Sequence, residues 1–255
     1  MWGIIPAAGR GSRIQPLAFS KELLPVGSRR EGGRERPCAV SEYLLERMVK
    51  AGVDKVCFVI SPGKSDIMEY FGASYGPAAI AYVVQPEPLG LCDAIFRAAP
   101  LIGSQDSVAV GLPDTIWFPA DALAALPDGF AFLLFPVKQP QFFDAVVVDD
   151  RGRVTEIQVK QAGARSNWIW GAFRMPGATL HDLHRLWLKP ERGDEFIGTL
   201  VNAWIRRGGT ARGARAGTAY VDVGTFDGYR MAINLLGSDR AATMQAGNAV
   251  ARARG

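Results

Sequence analysis

Along the first half of the chain, short apolar runs alternate with segments of helical period. Trp2–Ile5 (WGII) is an unbroken apolar run and reads as a strand that enters a glycine-rich loop. Ser41–Lys50 (SEYLLERMVK) has helical spacing, with Ser41 placed to cap it and Gly52 to stop it. Val56–Ile60 (VCFVI) predicts a buried strand, Ser65–Phe71 a short helix and Ala81–Gln85 a strand. Leu91–Ala98 then reads as a helix and Ser107–Leu112 as another strand, and Phe130–Val137 (FAFLLFPV) continues the pattern. This alternation predicts an α/β fold: a Rossmann-like, mostly parallel sheet flanked by helices. Ligands of such sheets bind in the loops beyond the carboxyl ends of the strands.

The second half changes character. Ala145–Lys160 (AVVVDDRGRVTEIQVK) reads as two strands joined by Asp-Asp-Arg-Gly, a hairpin signal. Trp168–Met175 predicts a strand, while Ala178–Leu188 and Glu195–Arg207 predict helices. Thr218–Val223 is a last strand, with a helix expected over Phe226–Leu236. The expected organisation is a single domain over residues 1–255 with a small β-rich part in its second half. Residues 237–255 are small and polar and read as a tail. Arg29–Arg36 (RREGGRER) has the composition of a mobile, solvated loop. His181 and His184 have no third ligand at metal spacing and read as part of a solvated helix face.

Composition narrows the function classes. The 255 residues are 48% hydrophobic and 21% charged, the profile of an ordinary globular chain large enough to bury a core. No apolar run approaches the ~20 residues of a membrane span, and no charged segment followed by a long apolar stretch marks a secretory leader. Cys38, Cys57 and Cys92 lack paired spacing and read as reduced thiols, which predicts a cytoplasmic protein. The net charge of +4 is spread along the chain, with no recognisable nucleic-acid module. Small anionic ligands fit that balance better than nucleic acid or a membrane.

The loop Pro6–Val26 (PAAGRGSRIQPLAFSKELLPV) carries the candidate chemistry. Gly9 and Gly11 are present, but Ile14 stands where the dinucleotide fingerprint needs a third glycine, and no Walker loop fits. Pro16 disfavours a long helix from Gly11, so the segment reads as an extended loop. Its glycines let backbone N–H groups approach phosphate oxygens, and Arg13 and Lys21 add positive charge. Loop composition alone leaves a plain turn with two exposed cations as the alternative.

The same stretch resembles the signature of the sugar-1-phosphate nucleotidylyltransferases, of the form AAGxGTRLxPxTxxxPKxLLPV. The agreement covers both glycines, Arg13, Pro16, Lys21 and Leu24-Pro25-Val26, with Ser12 in place of a common Thr and Ser20 in place of Pro. Further motifs follow in the family's order: Gln85–Leu91 (QPEPLGL), Val110–Asp114 (VGLPD), the Asp149–Lys160 hairpin and Val221–Thr225 (VDVGT). The resemblance thus runs from about Trp2 to about Leu236.

That resemblance implies transfer of a nucleotidyl group to a sugar 1-phosphate. A sugar-phosphate oxygen attacks the α-phosphorus in line, and pyrophosphate leaves. It implies Arg13, Lys21 and Asp114 as catalytic groups, with Arg13 at the departing pyrophosphate and Lys21 near the α-phosphate. Asp114 and Asp222 would hold Mg²⁺. Ala8, Gly9, Gly11, Ser12, Glu22, Gln85 and Gly90 would bind the nucleotide, Gln85 and Gly90 at a pyrimidine base of UTP or dTTP. Asp144, Lys160 and Gly171 would meet the sugar phosphate, and residues 1–115 would be mainly nucleotide-binding, 116–236 mainly sugar-phosphate-binding. A homo-oligomer is also implied.

The acceptor side departs from the pattern. Phe143-Asp144-Ala145-Val146 stands where the family reads Tyr-Gly-Val-Val, and Val159 stands where a Glu precedes the hairpin lysine. Trp168 and Trp170 share a strand face, open to core packing or to sugar stacking. These departures keep two alternatives in view: the same chemistry on an unusual acceptor phosphate, and a non-catalytic nucleotide-binding homologue.

Overall fold

The structure, a computed structural model, describes residues 1–236. The predicted tail lies outside the described residues. In chain order the elements begin with β1 (Trp2–Pro6), the hairpin β2 (Pro25–Glu31) and β3 (Arg34–Ala39), and α1 (Val40–Lys50). β4 (Lys55–Ile60), α2 (Ser65–Phe71), β5 (Ser74–Tyr75), β6 (Ala78–Val84) and α3 (Gly90–Arg97) follow. Then come β7 (Ser107–Gly111), β8 (Thr115–Phe118), β9 (Ala131–Pro136), β10 (Asp144–Val148) and β11 (Val154–Val159). β12 (Trp168–Pro176), α4 (Gly177–Trp187), α5 (Ile197–Ile205), β13 (Arg212–Ala214) and β14 (Ala219–Asp222) complete the set, with residues 226–236 helical.

The main sheet has the path β11-β10-β12-β7-β1-β4-β6-β5. Its centre, β7-β1-β4-β6, is parallel. From β7 outward it turns antiparallel, through β12, β10 and β11. The parallel α/β reading therefore holds for the first half, and the β-rich second half builds the antiparallel wing. Because β1, β4, β6 and β7 run the same way, residues 7–20, 61–64, 85–90 and 112–114 all leave the sheet at one edge. That edge carries the loop after β1 and the Gln85–Leu91 and Val110–Asp114 motifs.

Strand residues alternate between two cores. Ile4, Cys57, Val59, Val108 and Val110 face α3, α4 and α5. Ile5, Val56, Phe58, Ile60 and Ala109 face α1 and α2. The three thiols are buried and unpaired, and no helix among the described residues is long and apolar enough to cross a membrane.

Several expectations need correction. The Arg29–Arg36 segment is not a solvated loop: it forms most of the β2–β3 hairpin, turned by Gly32 and Gly33 at φ 56° and 80°. Two successive residues at positive φ make the turn that matches strand twist, which side-chain composition conceals. Arg36 then pairs bidentately with Glu42 on α1, at 2.9 Å to each oxygen. Ser41 does not cap α1. The helix begins at Val40, Glu42 accepts from the Ala39 N–H, and Ser41 Oγ donates to the Glu22 carbonyl. His181 and His184 are packed rather than solvated: Nε2 of His181 donates to the Ile102 carbonyl at 2.8 Å, and His184 stacks 4.8 Å from Phe96. The strand β8 went unread, because four residues after Pro113 carry too little pattern.

β8 is fastened to α1 by Arg47, only 2% exposed. Its Nε and Nη2 donate to the Trp117 carbonyl at 2.9 and 2.6 Å, and Nη1 donates to the Tyr43 carbonyl at 2.9 Å. The guanidinium lies over the Trp117 ring at 5.0 Å. With no carboxylate within 4 Å among the described residues, burial pulls its pKa down to about 10. Arg47→Ala leaves the Trp117 carbonyl unpaired and a cavity beneath β8, and is expected to cost about 2–4 kcal/mol in urea unfolding. A loss below about 0.5 kcal/mol, the range of ordinary surface changes, would contradict this anchoring role.

Candidate active site

Two short strands bring the acidic pair together. β14 pairs antiparallel with β8, Asp222 opposite Thr115, and Val223 N–H donates to the Asp114 carbonyl at 2.8 Å. Asp114 and Asp222, more than 100 residues apart, therefore share one end of this ribbon. Gly224 follows, and a Cβ there would lie 2.8 Å from Asp222 Oδ1, 2.9 Å from Asp114 Oδ2 and 3.4 Å from Arg13 Nη2. Only a glycine lets two carboxylates and a guanidinium crowd onto this point of the backbone.

The cations come from the loop after β1. Lys21 Nζ donates to Asp114 Oδ2 at 2.5 Å, and Arg13 Nη1 donates to Asp222 Oδ2 at 3.1 Å. Burial works against the Lys21 charge, but Asp114, Glu22 and Asp222 outweigh it, and its pKa is raised. Burial likewise pushes the Asp114 carboxyl up, but the Lys21 charge and hydrogen bond, with a backbone N–H and Arg13, hold it below 3.8. The Arg13 side chain is 61% exposed, so its contact with Asp222 is a surface pair of small strength, readily exchanged.

Ala8, Gly9, Gly11 and Ser12 form the turn above these charges, with no helix from Gly11. Gly11 has φ 65°, and a Cβ on it would lie 2.9 Å from Lys21 Cδ. The loop thus folds over the lysine stem. Glu22 is not open to solvent: it is fully buried, and both its oxygens accept from Lys64 Nζ at 2.8 Å. Lys64 also donates to the Ala7 carbonyl at 2.7 Å, tying the end of β1 to the residues after β4. Sequence reasoning missed Lys64, although Ser61-Pro62-Gly63-Lys64 at a strand's carboxyl end was the available signal.

Gln85 and Gly90 are also brought together. Gln85 Nε2 donates to the Gly90 carbonyl at 3.1 Å and to Asp93 Oδ2 at 2.8 Å. Gly90, at φ 92°, sits so close to Glu195 that a Cβ would lie 2.3 Å from its Cγ. The Glu195 carbonyl accepts from the Leu91 and Cys92 N–H groups, so a residue of the second half caps α3. No local pattern marks Glu195 for this.

On the antiparallel wing, Asp144 opens β10 opposite Val159, and Lys160 N–H donates to the Phe143 carbonyl at 3.0 Å. Trp170 is buried in the core, and its Nε1 donates to Asp144 Oδ2 at 3.3 Å. Lys160 is exposed at φ 46°, with Nζ 4.4 Å from the Phe196 ring. Gly171 is buried under Phe135 and Tyr220, where its place is in packing. Tyr220 packs its ring against Phe135 and Phe143, and burial, then the charges of Asp222, Asp114 and Asp144, raise its pKa well above 10.0.

The sequence pattern of the nucleotidyl transferase family matches residues 2–238. The chain belongs to that family. This nucleotidyltransferase is 29% identical over 238 residues to the glucose-1-phosphate thymidylyltransferase of Mycolicibacterium smegmatis, covering 89% of this chain and 79% of that one. It is 27% identical over 250 residues to the enzyme of the same name from Neisseria meningitidis, covering 92% and 82%. Among solved structures, the UTP-bound UGPase of Acinetobacter baumannii has the same fold, with TM-score 0.74, 21% identity and 96% and 98% coverage. The family resemblance read from the opening loop therefore holds along the nucleotidyltransferase chain.

The Lys21–Asp114 pair has a pH signature. A carboxyl depressed in the folded state adds stability above its unfolded pKa, and that stability is lost as pH falls through the folded value. Lys21→Met removes the opposing charge but keeps the burial, so Asp114 should titrate above the ordinary value of 3.8. In the wild type this carboxyl costs stability as pH falls below its unfolded value. In the variant, its folded pKa now above the unfolded one, it costs stability as pH rises. Between about pH 3 and about pH 8 the acid fall in melting temperature should therefore be shallower in the variant. Coincident acid limbs would contradict the pairing.

Proposed function

We propose that the protein joins UTP or dTTP to a sugar 1-phosphate, releasing pyrophosphate and an NDP-sugar, with Mg²⁺ held by Asp114 and Asp222. The observation that carries this reading is the convergence of Asp114, Asp222 and Arg13 at Gly224, with Lys21 bonded to Asp114. Two hard carboxylate oxygens brought together at Gly224 suit Mg²⁺, which takes few protein ligands and completes its shell with phosphate oxygens and water. When bound, Mg²⁺ neutralises charge on the phosphate oxygens.

The chain's own groups account for the rest. The attacking group is the acceptor phosphate oxygen and the bond that breaks joins the α-phosphorus to pyrophosphate, so no side-chain nucleophile is needed. Catalysis then reduces to positioning and charge neutralisation. Lys21, held on Asp114, faces the α-phosphate. Arg13 leaves its weak pair with Asp222 and presents two parallel N–H groups to the departing pyrophosphate. Glu22 acts through Lys64 to hold the loop, Gln85 and Gly90 frame the base, and Lys160 faces the acceptor phosphate. The names of the curated relatives and the UTP-bound neighbour support a pyrimidine nucleotide and a role in nucleotide-sugar synthesis. A binding-only homologue would have no need of Arg13, Lys21, Asp114, Lys160 and Asp222 together.

Pyrophosphate release across a panel of nucleoside triphosphates and sugar 1-phosphates with Mg²⁺ tests the reading. Release is expected with UTP or dTTP, and Arg13→Ala and Lys21→Ala should each lower kcat by about 10²–10³-fold. Near-wild-type turnover in both variants would overturn the assigned roles. Nucleotide binding with no release for any pair would establish the binding-only homologue instead.

A further inference from the structure

Carboxylates withdrawn from solvent in this fold are given a cation or, like the half-buried Asp66 and Asp106, backbone N–H groups, and among the described residues Asp144 at the acceptor end has neither. Glu22, Glu42, Asp93 and Asp114 are all buried, and each has a Lys or Arg nitrogen within 4 Å. Asp144 is half-buried and has none among the described residues. Its one hydrogen bond is the indole N–H of Trp170 at 3.3 Å, at the long limit for such a contact. Loss of solvent raises its pKa, and neither that hydrogen bond nor the more distant Lys160 charge offsets it. A desolvated carboxylate without a counter-charge is costly to keep unless a ligand supplies the charge.

Its neighbours define what that ligand looks like. Asp144 and Lys160 lie at the same end of the β10–β11 hairpin, joined by the Lys160 N–H to Phe143 carbonyl bond. One strand end therefore offers an anion and a cation side by side, yet the two side chains do not pair with each other: Lys160 Nζ rests over Phe196 instead. Trp170 meets the carboxylate through its indole N–H, and the preceding Phe143 packs edge-on to Tyr220 at 5.9 Å. A partly desolvated carboxylate with no counter-charge favours a cation over a neutral hydroxyl. We infer that the acceptor is a zwitterion, a phosphate ester that also carries an ammonium group, with Asp144 taking the ammonium and Lys160 the phosphate. This rests on the proposed reaction only in placing the acceptor at this strand end.

The test compares glucosamine 1-phosphate with its neutral counterparts, glucose 1-phosphate and N-acetylglucosamine 1-phosphate, and with phosphoethanolamine as a non-sugar ammonium phosphate. Both pyrophosphate release and calorimetric binding are read. The ammonium acceptor should exceed the neutral ones by at least about tenfold in kcat/KM or affinity, the strength of one charge-assisted contact. Asp144→Asn keeps the shape but not the charge, and should bring that preference to within about threefold. Asp144→Gly should do the same, so the result does not depend on one variant's folding. Comparable use of charged and neutral acceptors, or a preference that survives Asp144→Asn, overturns the inference. Binding that prefers the ammonium compounds without turnover of any upholds it while refuting the proposed reaction. The sugar and non-sugar arms separate an amino sugar from an aminoalkyl phosphate as its source.

Discussion

A carboxylate as deeply buried as Asp114 must have a counter-charge, and much of the nucleotide edge follows from providing it. Lys21 reaches it only because the loop after β1 doubles back over the lysine stem at Gly11. That return is held in turn by Glu22, Lys64 and the Ala7 carbonyl, an interior chain of charged contacts linking the ends of β1 and β4. Breaking one member would leave another charge buried without a partner, the costly way to lose such a pair. The charge network and the loop geometry are therefore one constraint.

The same pairs set the conditions for ligand binding. Two cations and two carboxylates neutralise each other around Gly224, so the site is close to electrically balanced on its own. A triphosphate alone would meet the carboxylates unfavourably, and a metal alone would meet the cations. On the proposed reaction, arrival of both would exchange the partners and keep every charge matched. The exposed Arg13 pair is the weaker of the two, which makes it the one to open first. Lys21, clamped below its loop, keeps its position through the exchange.

How legible this was depended on the range of the contact concerned. The β1 loop, the strand ending at Asp114 and the Val221–Thr225 motif could be read because each is contiguous. Their convergence could not, since it depends on β8, a four-residue strand, finding β14 a hundred positions later. Lys64, Arg47 and Glu195 were missed for a related reason: the contacts that matter join residues far apart in the chain, Lys64 to Glu22 and Ala7, Arg47 to Trp117, and Glu195 to Leu91 and Cys92. The β2–β3 hairpin was misread because charge-rich composition masked the Gly-Gly turn. The β10–β11 hairpin, by contrast, was plain from its alternation and turn, and Asp144 stood out in it before its surroundings were known.

The central claim is that Asp114 and Asp222 form one cation site completed by a nucleotide and flanked by Arg13 and Lys21. Mn²⁺ titration followed by electron paramagnetic resonance, with UTP present or absent, measures this directly. The account predicts tight Mn²⁺ uptake only when UTP is present, lost in both Asp114→Asn and Asp222→Asn. Mn²⁺ uptake unaffected by either substitution would contradict it.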